Sequence, residues 1–573
     1  MPVTPSPPRS ERFLDNIAPL KSRRGCKTCK TRKIKCGEEK PSCRKCTLAK
    51  YKCEYTTSPP QAGYSYSSAP SHSSTVSILN APSTSPNTVW RERRAFAYYF
   101  QHAAPYLAGG LDQEFWVTVV PRFCRIEPAV WDAVNAISTL FESPEMCLDF
   151  VFVSLRHERS VSLNPKQSDA LGWYARSLSK VRTQIDRGSV DVQVALISCV
   201  LFVCIETLQG HVEEAFQLYN QGIQLILGLK APGKGPIPAL LENTIIPLFM
   251  RLGTAALTIS GTLICDLFGM LDIPQQIGFM SFETARDALL PLAAEVQILQ
   301  RQTGTNPFIG LNPEITPELI ARRDCLQVRL SSWYSAYTAF VAKAPLSSGT
   351  RAISALMRAY HSALTIMLST CLVRNSSVYD AYIPDFRTIV EQSGFALDAS
   401  ATADGTQPAF TFEQGVGPPL SWTALVCRDP SIRRQALALL RRAPPLQGFY
   451  KCTPGLTLAS KIMELEEGIS RALLHQKNES SGNEEGGEEI ELTAKLIPEE
   501  ARIQHYAVFR PRDQPHILGF HDIQKWKRGP EQLFLRFTRG KWDHDTQTWG
   551  LTDECVPMDC AGVRVIGTRY YFA

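Results

Sequence analysis

Apolar runs long enough to cross a bilayer are missing from this sequence. The longest uncharged apolar stretches, Val192–Ile205 and Leu252–Cys265, are fourteen residues each, against the roughly 20 that a membrane span needs. Both are expected as buried helices. The opening "MPVTPSPPRSERF" lacks the apolar core of a secretory signal, which points to an intracellular chain with reduced thiols. Histidine is scarce: there are ten, and none precedes His72. Metal fingers that need histidine are thereby excluded from the N-terminal region. Neither a nucleophile elbow nor an H-E-x-x-H motif occurs, so nothing argues for an enzyme. "GLKAPGKG" (Gly228–Gly235) approaches a phosphate loop. Gly235 replaces the required Ser/Thr, however, and a helical pattern precedes it where a strand belongs. His521, His544, Cys555 and Cys560 have no ligand spacing among them.

Acidic residues are nearly absent from one short segment. Between Leu20 and Cys53 there are thirteen Lys/Arg against two acids, a local charge of +11 in a chain whose total is +6. A small basic module therefore sits on a mildly acidic body, and such asymmetry suggests nucleic acid as the module's partner. The same segment holds six of the seventeen cysteines, Cys26, Cys29, Cys36, Cys43, Cys46 and Cys53. They are spaced C-x2-C-x6-C twice, so the second half repeats the first with a pseudo-twofold.

Without a secretory route, metal binding is the default use of such thiols. Zinc takes four thiolates in a tetrahedron. Six thiolates serve two zinc ions if two of them bridge both metals. A single site made by Cys26, Cys29, Cys43 and Cys46 is also geometrically feasible, but it would leave Cys36 and Cys53 idle at matching positions. The expectation is two Zn2+ per chain. Zinc then consumes the thiolates and leaves the lysines for another partner.

Residues 1–20 are rich in Pro and Ser and are expected to be disordered. The cysteine module occupies 21–55, and a Ser/Pro/Thr-rich linker occupies 56–89. The linker has no heptads, so no coiled coil follows the module. Helical periodicity dominates from Trp90 to about Glu467. "EPAVWDAVNAISTLFES" repeats Val130, Val134, Ile137 and Phe141 at three- and four-residue steps, with Pro128 placed for the first turn. The stretch around Gly210 reads as two helices of an αα-hairpin. Asp429–Arg442 reads as a helix with Ile432, Ala436, Leu439 and Leu440 on one face, and Arg428, Arg433 and Arg434 are expected to be exposed. The acidic run 478–491 is read as a solvated loop. "EQLFLRFTRGKWDHDTQTW" alternates around "RG" and reads as a β-hairpin turning there. The fold class is mainly α, with a large all-α domain over 90–510 and a C-terminal extension over 511–573 that has a small β element.

At "CKTCKTRKIKCGEEKPSCRKC" the sequence resembles the fungal binuclear zinc cluster (six-cysteine, Zn2Cys6-type) transcription factor family. "EPAVWDAVNAISTLFES", "LISCVLFVCIETLQG" and "LVCRDPSIRRQALALLRRAPPLQGFY" are similar to that family's helical regulatory domain. The resemblance implies a nuclear, sequence-specific regulator of RNA polymerase II genes that binds double-stranded DNA. By the same resemblance Cys26 and Cys43 bridge the two zinc ions. Lys33 is the main base reader on a CGG triplet with Arg32 beside it, Lys30 and Lys35 hold phosphates, and Ile34 packs on the cluster. Gly37 and Glu38 depart from the family pattern and bear on one backbone contact. A homodimer, where formed, would use the helical body, which is also compatible with a small-molecule effector. A rival reading is a zinc-stabilised protein–protein adaptor whose basic patch serves nuclear import.

Overall fold

The computed structural model describes residues 26–53 except 33, 35 and 40, and most of 90–558. Within the latter range, 144–163, 190, 230–235, 258–277, 305–313, 346, 374, 403, 481–496, 510–531 and 544–547 lie outside the description. The expectations for the N-terminal segment, for the linker and for most of the acidic run therefore fall outside the described residues. The chain divides into two compact units, Met1–Ser74 and Thr75–Ala573.

The first unit contains two five-residue helices, α1 (Lys27–Thr31) and α2 (Arg44–Leu48). Both begin immediately after a cysteine, and the second lies seventeen positions after the first, the same offset that relates the two cysteine triplets.

The second unit is helical through most of its length. Its first layer is built by α3 (Trp90–Tyr98), α4 (Ala104–Leu107), α5 (Val120–Cys124), α6 (Pro128–Glu142), α7 (Pro165–Asp186), α8 (Val192–Leu208), α9 (Val212–Leu229) and α10 (Ile246–Leu257). Wide π-type turns over Tyr99–Ala103, Glu114–Val119 and Leu241–Ile245 lead into α4, α5 and α10. Pro128 opens α6 as expected, and Val130, Val134, Ile137 and Phe141 are all buried. Helix α8 is apolar all round and sits in the core. It ends at Gly210, whose φ of +80° supplies the left-handed residue that closes the hairpin with α9. Gly222 lets α9 approach its neighbours, because a Cβ there would lie 2.3 Å from the Phe249 ring and 2.9 Å from Cys199 Sγ.

The second layer comprises α11 (Phe282–Gln302), α12 (Pro317–Val341), α13 (Ser348–Thr370), α14 (Ile383–Ser400), α15 (Gly417–Val426), α16 (Pro430–Arg442) and α17 (Cys452–Ser480). Helix α17 runs beyond the expected end near Glu467 and takes in the first residues of the acidic run. Two-residue strands β1 (Phe410–Thr411), β2 (Leu446–Gln447) and β3 (Tyr450–Lys451) form a small sheet within this helical body.

A second sheet, β4–β5–β6, follows among the described residues, with β4 at Ile503–Phe509, β5 at Phe534–Asp543 and β6 at Thr548–Pro557. The expected hairpin is present, but "RG" is not its turn. Gly540 pairs with Leu551 in mid-strand, and the pairing continues as far as Asp543 with Thr548. Strand β4 precedes residue 511 and pairs with β5, so a division at 510/511 cuts through one sheet. Tyr506, Val508, Leu535 and Phe537 bury one face of that sheet in the same core as α14 to α17.

The arginines near α16 overturn the expectation of an exposed face. Arg434 is exposed, but the side chains of Arg428 and Arg433 are 3% and 1% exposed and pair with Glu466 at 2.8 and 2.6 Å. Arg433 also donates to the Ala424 carbonyl, Arg428 to those of Leu425 and Ile503, and the Ile503 N–H donates to Glu466. These bonds tie α15, α16, α17 and β4 together. Buried charges are tolerated when paired and hydrogen-bonded in this way.

Candidate metal centre and nucleic-acid interface

The local chain geometry of the first unit is written twice. Cys26 N–H donates to Cys36 Sγ at 3.3 Å, and seventeen residues on Cys43 N–H donates to Cys53 Sγ at 3.3 Å. Ile34 N–H donates to the Cys29 carbonyl, and Tyr51 N–H to that of Cys46. The pseudo-twofold inferred from cysteine spacing is thus present in the backbone hydrogen bonds. It turns the first turns of α1 and α2 toward each other, so their cysteines meet.

Cys26, Cys29, Cys43 and Cys46 bring their sulfurs within 4.8 Å of one another, all four buried. The sulfur–sulfur distances across the two helices are 3.6–3.8 Å, close to the tetrahedral edge of about 3.8 Å that zinc–sulfur bonds of about 2.3 Å impose. The remaining two thiols join this group. Cys36 interacts with Cys29 and Cys43, and Cys53 interacts with Cys26 and Cys46. All six thiols therefore join one cluster. Burial, with bonds to Cys43 and Cys26, pushes the Cys46 thiol up to about 12. Burial also opposes ionisation of Cys43, but the Cys46 backbone N–H and neighbouring thiols outweigh it and draw Cys43 down to about 6. Sulfurs this close cannot all ionise unaided, and divalent metal removes the conflict. The donor set fits a binuclear zinc cluster.

Around the thiols the surface is basic. Lys30 lies exposed in the last turn of α1. Arg32 follows it and stacks its guanidinium over the Tyr51 ring at 4.2 Å. Lys33 and Lys35 lie outside the described residues. Ile34, expected against the cluster, keeps 37% exposure, because the thiols fill the centre themselves. Tyr51 was not singled out from the sequence. The seventeen-residue repeat places it opposite Ile34, and an aromatic within a basic run was the available signal.

These features define a class: a small thiolate-metal module, duplicated internally, with a cationic face. Residues 24–62 belong to the family of the fungal Zn(2)-Cys(6) binuclear cluster domain. The chain is 58% identical over 36 residues to sterol uptake control protein 2 of Saccharomyces cerevisiae, a match covering 6% of this chain and 4% of that protein. It is 27% identical over 270 residues to the aspercryptin biosynthesis cluster-specific transcription regulator of Emericella nidulans, covering 42% of this chain and 40% of the relative. An uncharacterized transcriptional regulatory protein of Schizosaccharomyces pombe is 27% identical over 164 residues, 24% of this chain and 28% of the relative. The chain thus spans well under half the length of these curated relatives. No solved structure matches it. Among the described residues no helix is long and apolar enough to cross a membrane.

Proposed function

We propose that this chain is a nuclear, sequence-specific DNA-binding regulator of RNA polymerase II transcription. The observation that carries the reading is the duplicated six-thiol module beside a cationic helix, within the segment that matches the zinc cluster family. In this reading Cys26, Cys29, Cys36, Cys43, Cys46 and Cys53 hold two zinc ions, with Cys26 and Cys43 bridging. When bound, the zinc supplies folding energy to a segment too short to bury an apolar core. Residue by residue from the family pattern, Lys33 reads guanine in the major groove, where a Lys or Arg donates to O6 and N7. Arg32 assists from its seat on Tyr51, and Lys30 and Lys35 hold phosphates. The site read is a CGG triplet. Dimerisation through the helical body, and an effector bound there, are compatible with this role.

The test is a binding titration of the full chain on a CGG-containing duplex and a scrambled duplex at several salt concentrations. Preference for CGG together with a steep salt dependence is the expected outcome. Equal binding to both duplexes would instead indicate an adaptor with a merely basic patch.

A further inference from the structure

Among α10, α11, α13, α15 and α17 of the second unit lies a cavity of about 270 Å³. It exceeds the ~150 Å³ apolar cavity that admits benzene and approaches the small-ligand range of roughly 300–1,000 Å³. Its walls are apolar, with Leu252, Leu289, Met357, Leu364 and Trp422 among them.

One part of the lining is polar, and its polar groups fall into two sets. Arg251 and Arg286 pair with Asp112, Asp287 and Glu413. The arginines are neutralised by carboxylates, so the cavity holds no surplus positive charge to recruit an anion. Three carboxylates face two arginines, but burial pushes Glu413 up to about 7, so with a proton on Glu413 the set is neutral and leaves little to recruit a cation. The second set comprises atoms with no hydrogen-bond partner in the protein, among them Arg251 Nε and Gln414 Nε2, both donors, Gln297 Oε1 and Asp112 Oδ2, both acceptors, and Tyr450 Oη. All belong to residues lining the cavity and are shielded from bulk solvent. Leaving buried donors and acceptors unmade is expensive, so several at one cavity call for a complementary occupant.

We propose that this cavity binds a neutral amphipathic molecule, a short hydrocarbon body bearing a head that carries both a carbonyl and an N–H or O–H. The carbonyl takes the two donors, the N–H or O–H serves Gln297, and the body fills the apolar space. Of the proposed function this takes up only the effector. It concerns Thr75–Ala573 alone, so a failure to bind DNA leaves it standing.

The experiment is calorimetric titration of the full chain with octanamide, octanoate and octylammonium, each below its aggregation limit. Saturable binding of one octanamide per chain is expected, with both ions at least about tenfold weaker because each adds an uncompensated charge. Gln297→Leu is expected to weaken octanamide about tenfold while leaving the fold intact. Ala363→Phe, which fills the cavity, is expected to abolish binding with the helical circular dichroism unchanged. If that variant misfolds, Ala293→Phe, also in the lining, takes its place. Absence of saturable octanamide binding would overturn the proposal and mark the cavity as water-filled. So would tighter binding of octanoate, or undiminished binding in the filled variant. Undiminished binding in Gln297→Leu would overturn the head-group assignment.

Discussion

Lys33 and Lys35 are two positions apart in the chain and are assigned different work. A base reader discriminates between sequences, whereas a phosphate contact adds attraction to any duplex. Lys33→Ala is therefore expected to cost about 1–3 kcal/mol on the CGG site and to relax sequence preference. Lys35→Ala should weaken all duplexes alike and lower the salt slope by about one unit. Titrations of both variants on CGG and scrambled DNA separate the two roles, and equal losses on both duplexes for Lys33→Ala would refute its assignment. Residue-scale chemistry also sets a pH response in the body. Burial depresses His361 to about 4 from a usual value near 6.5, with Tyr334 stacked on it at 4.0 Å and Trp333 at 6.0 Å. The folded state favours the neutral ring, so this stability is complete above pH 6.5 and is lost as pH falls toward 4. His361→Phe keeps a ring but cannot titrate. Melting temperatures of both proteins across pH 4–7 are expected to show a shallower acid decline for the variant.

At the scale of elements, the buried Arg428–Glu466–Arg433 cluster does more than its sequence suggests. Removing one partner from a buried charged set strands the others away from water. Glu466→Ala leaves two arginine side chains unpaired and is expected to destabilise by about 3–5 kcal/mol. Asp398→Ala breaks the surface pair with Arg442, in which the Asp398 and Arg442 side chains are 65% and 51% exposed, and should cost no more than about 1 kcal/mol. Denaturant melts of the two variants measure the contrast, and similar small losses would mean that Glu466 is dispensable. The sequence disclosed α16 well: Asp429 caps it, and Ile432, Ala436 and Leu440 are buried as their spacing requires, with Leu439 half-buried. It misled on Arg428 and Arg433, because a charged side chain normally marks a solvent face. Only the arrival of Glu466 from α17 makes burial tolerable. The hairpin turn was misplaced for a related reason. Gly540 resembles a turn residue, but it lies mid-strand where a Cβ would come within 3.2 Å of the Trp549 ring.

For the whole molecule, two units with different sources of stability should respond separately to metal removal. Among its described residues the first unit has five buried cysteines in place of an apolar core, whereas the second has extended clusters of Leu, Ile, Val and Phe. Metal analysis of the purified chain is expected to give a zinc:protein ratio near two. Strong chelation should abolish CGG binding and leave the main helical melt in place, since zinc binding supplies folding energy only where the thiols are. A ratio of one would favour the single site of Cys26, Cys29, Cys43 and Cys46.

By itself the sequence determined what depends on spacing along the chain. The repeated cysteine triplets specify paired half-sites, because three residues along a helix return a side chain to the same face. Apolar periodicity specified the helices of the body, and the lack of long apolar runs argued against a membrane span. Tertiary structure decided what depends on distant segments meeting. Arg32 finds Tyr51 only once the two halves fold together. Gln297, Gln414 and Arg251 lie on separate segments and share a cavity only after those segments pack. Local pattern encodes which face of an element is apolar, but not which element will cover it, and sites assembled across that contact leave no linear motif.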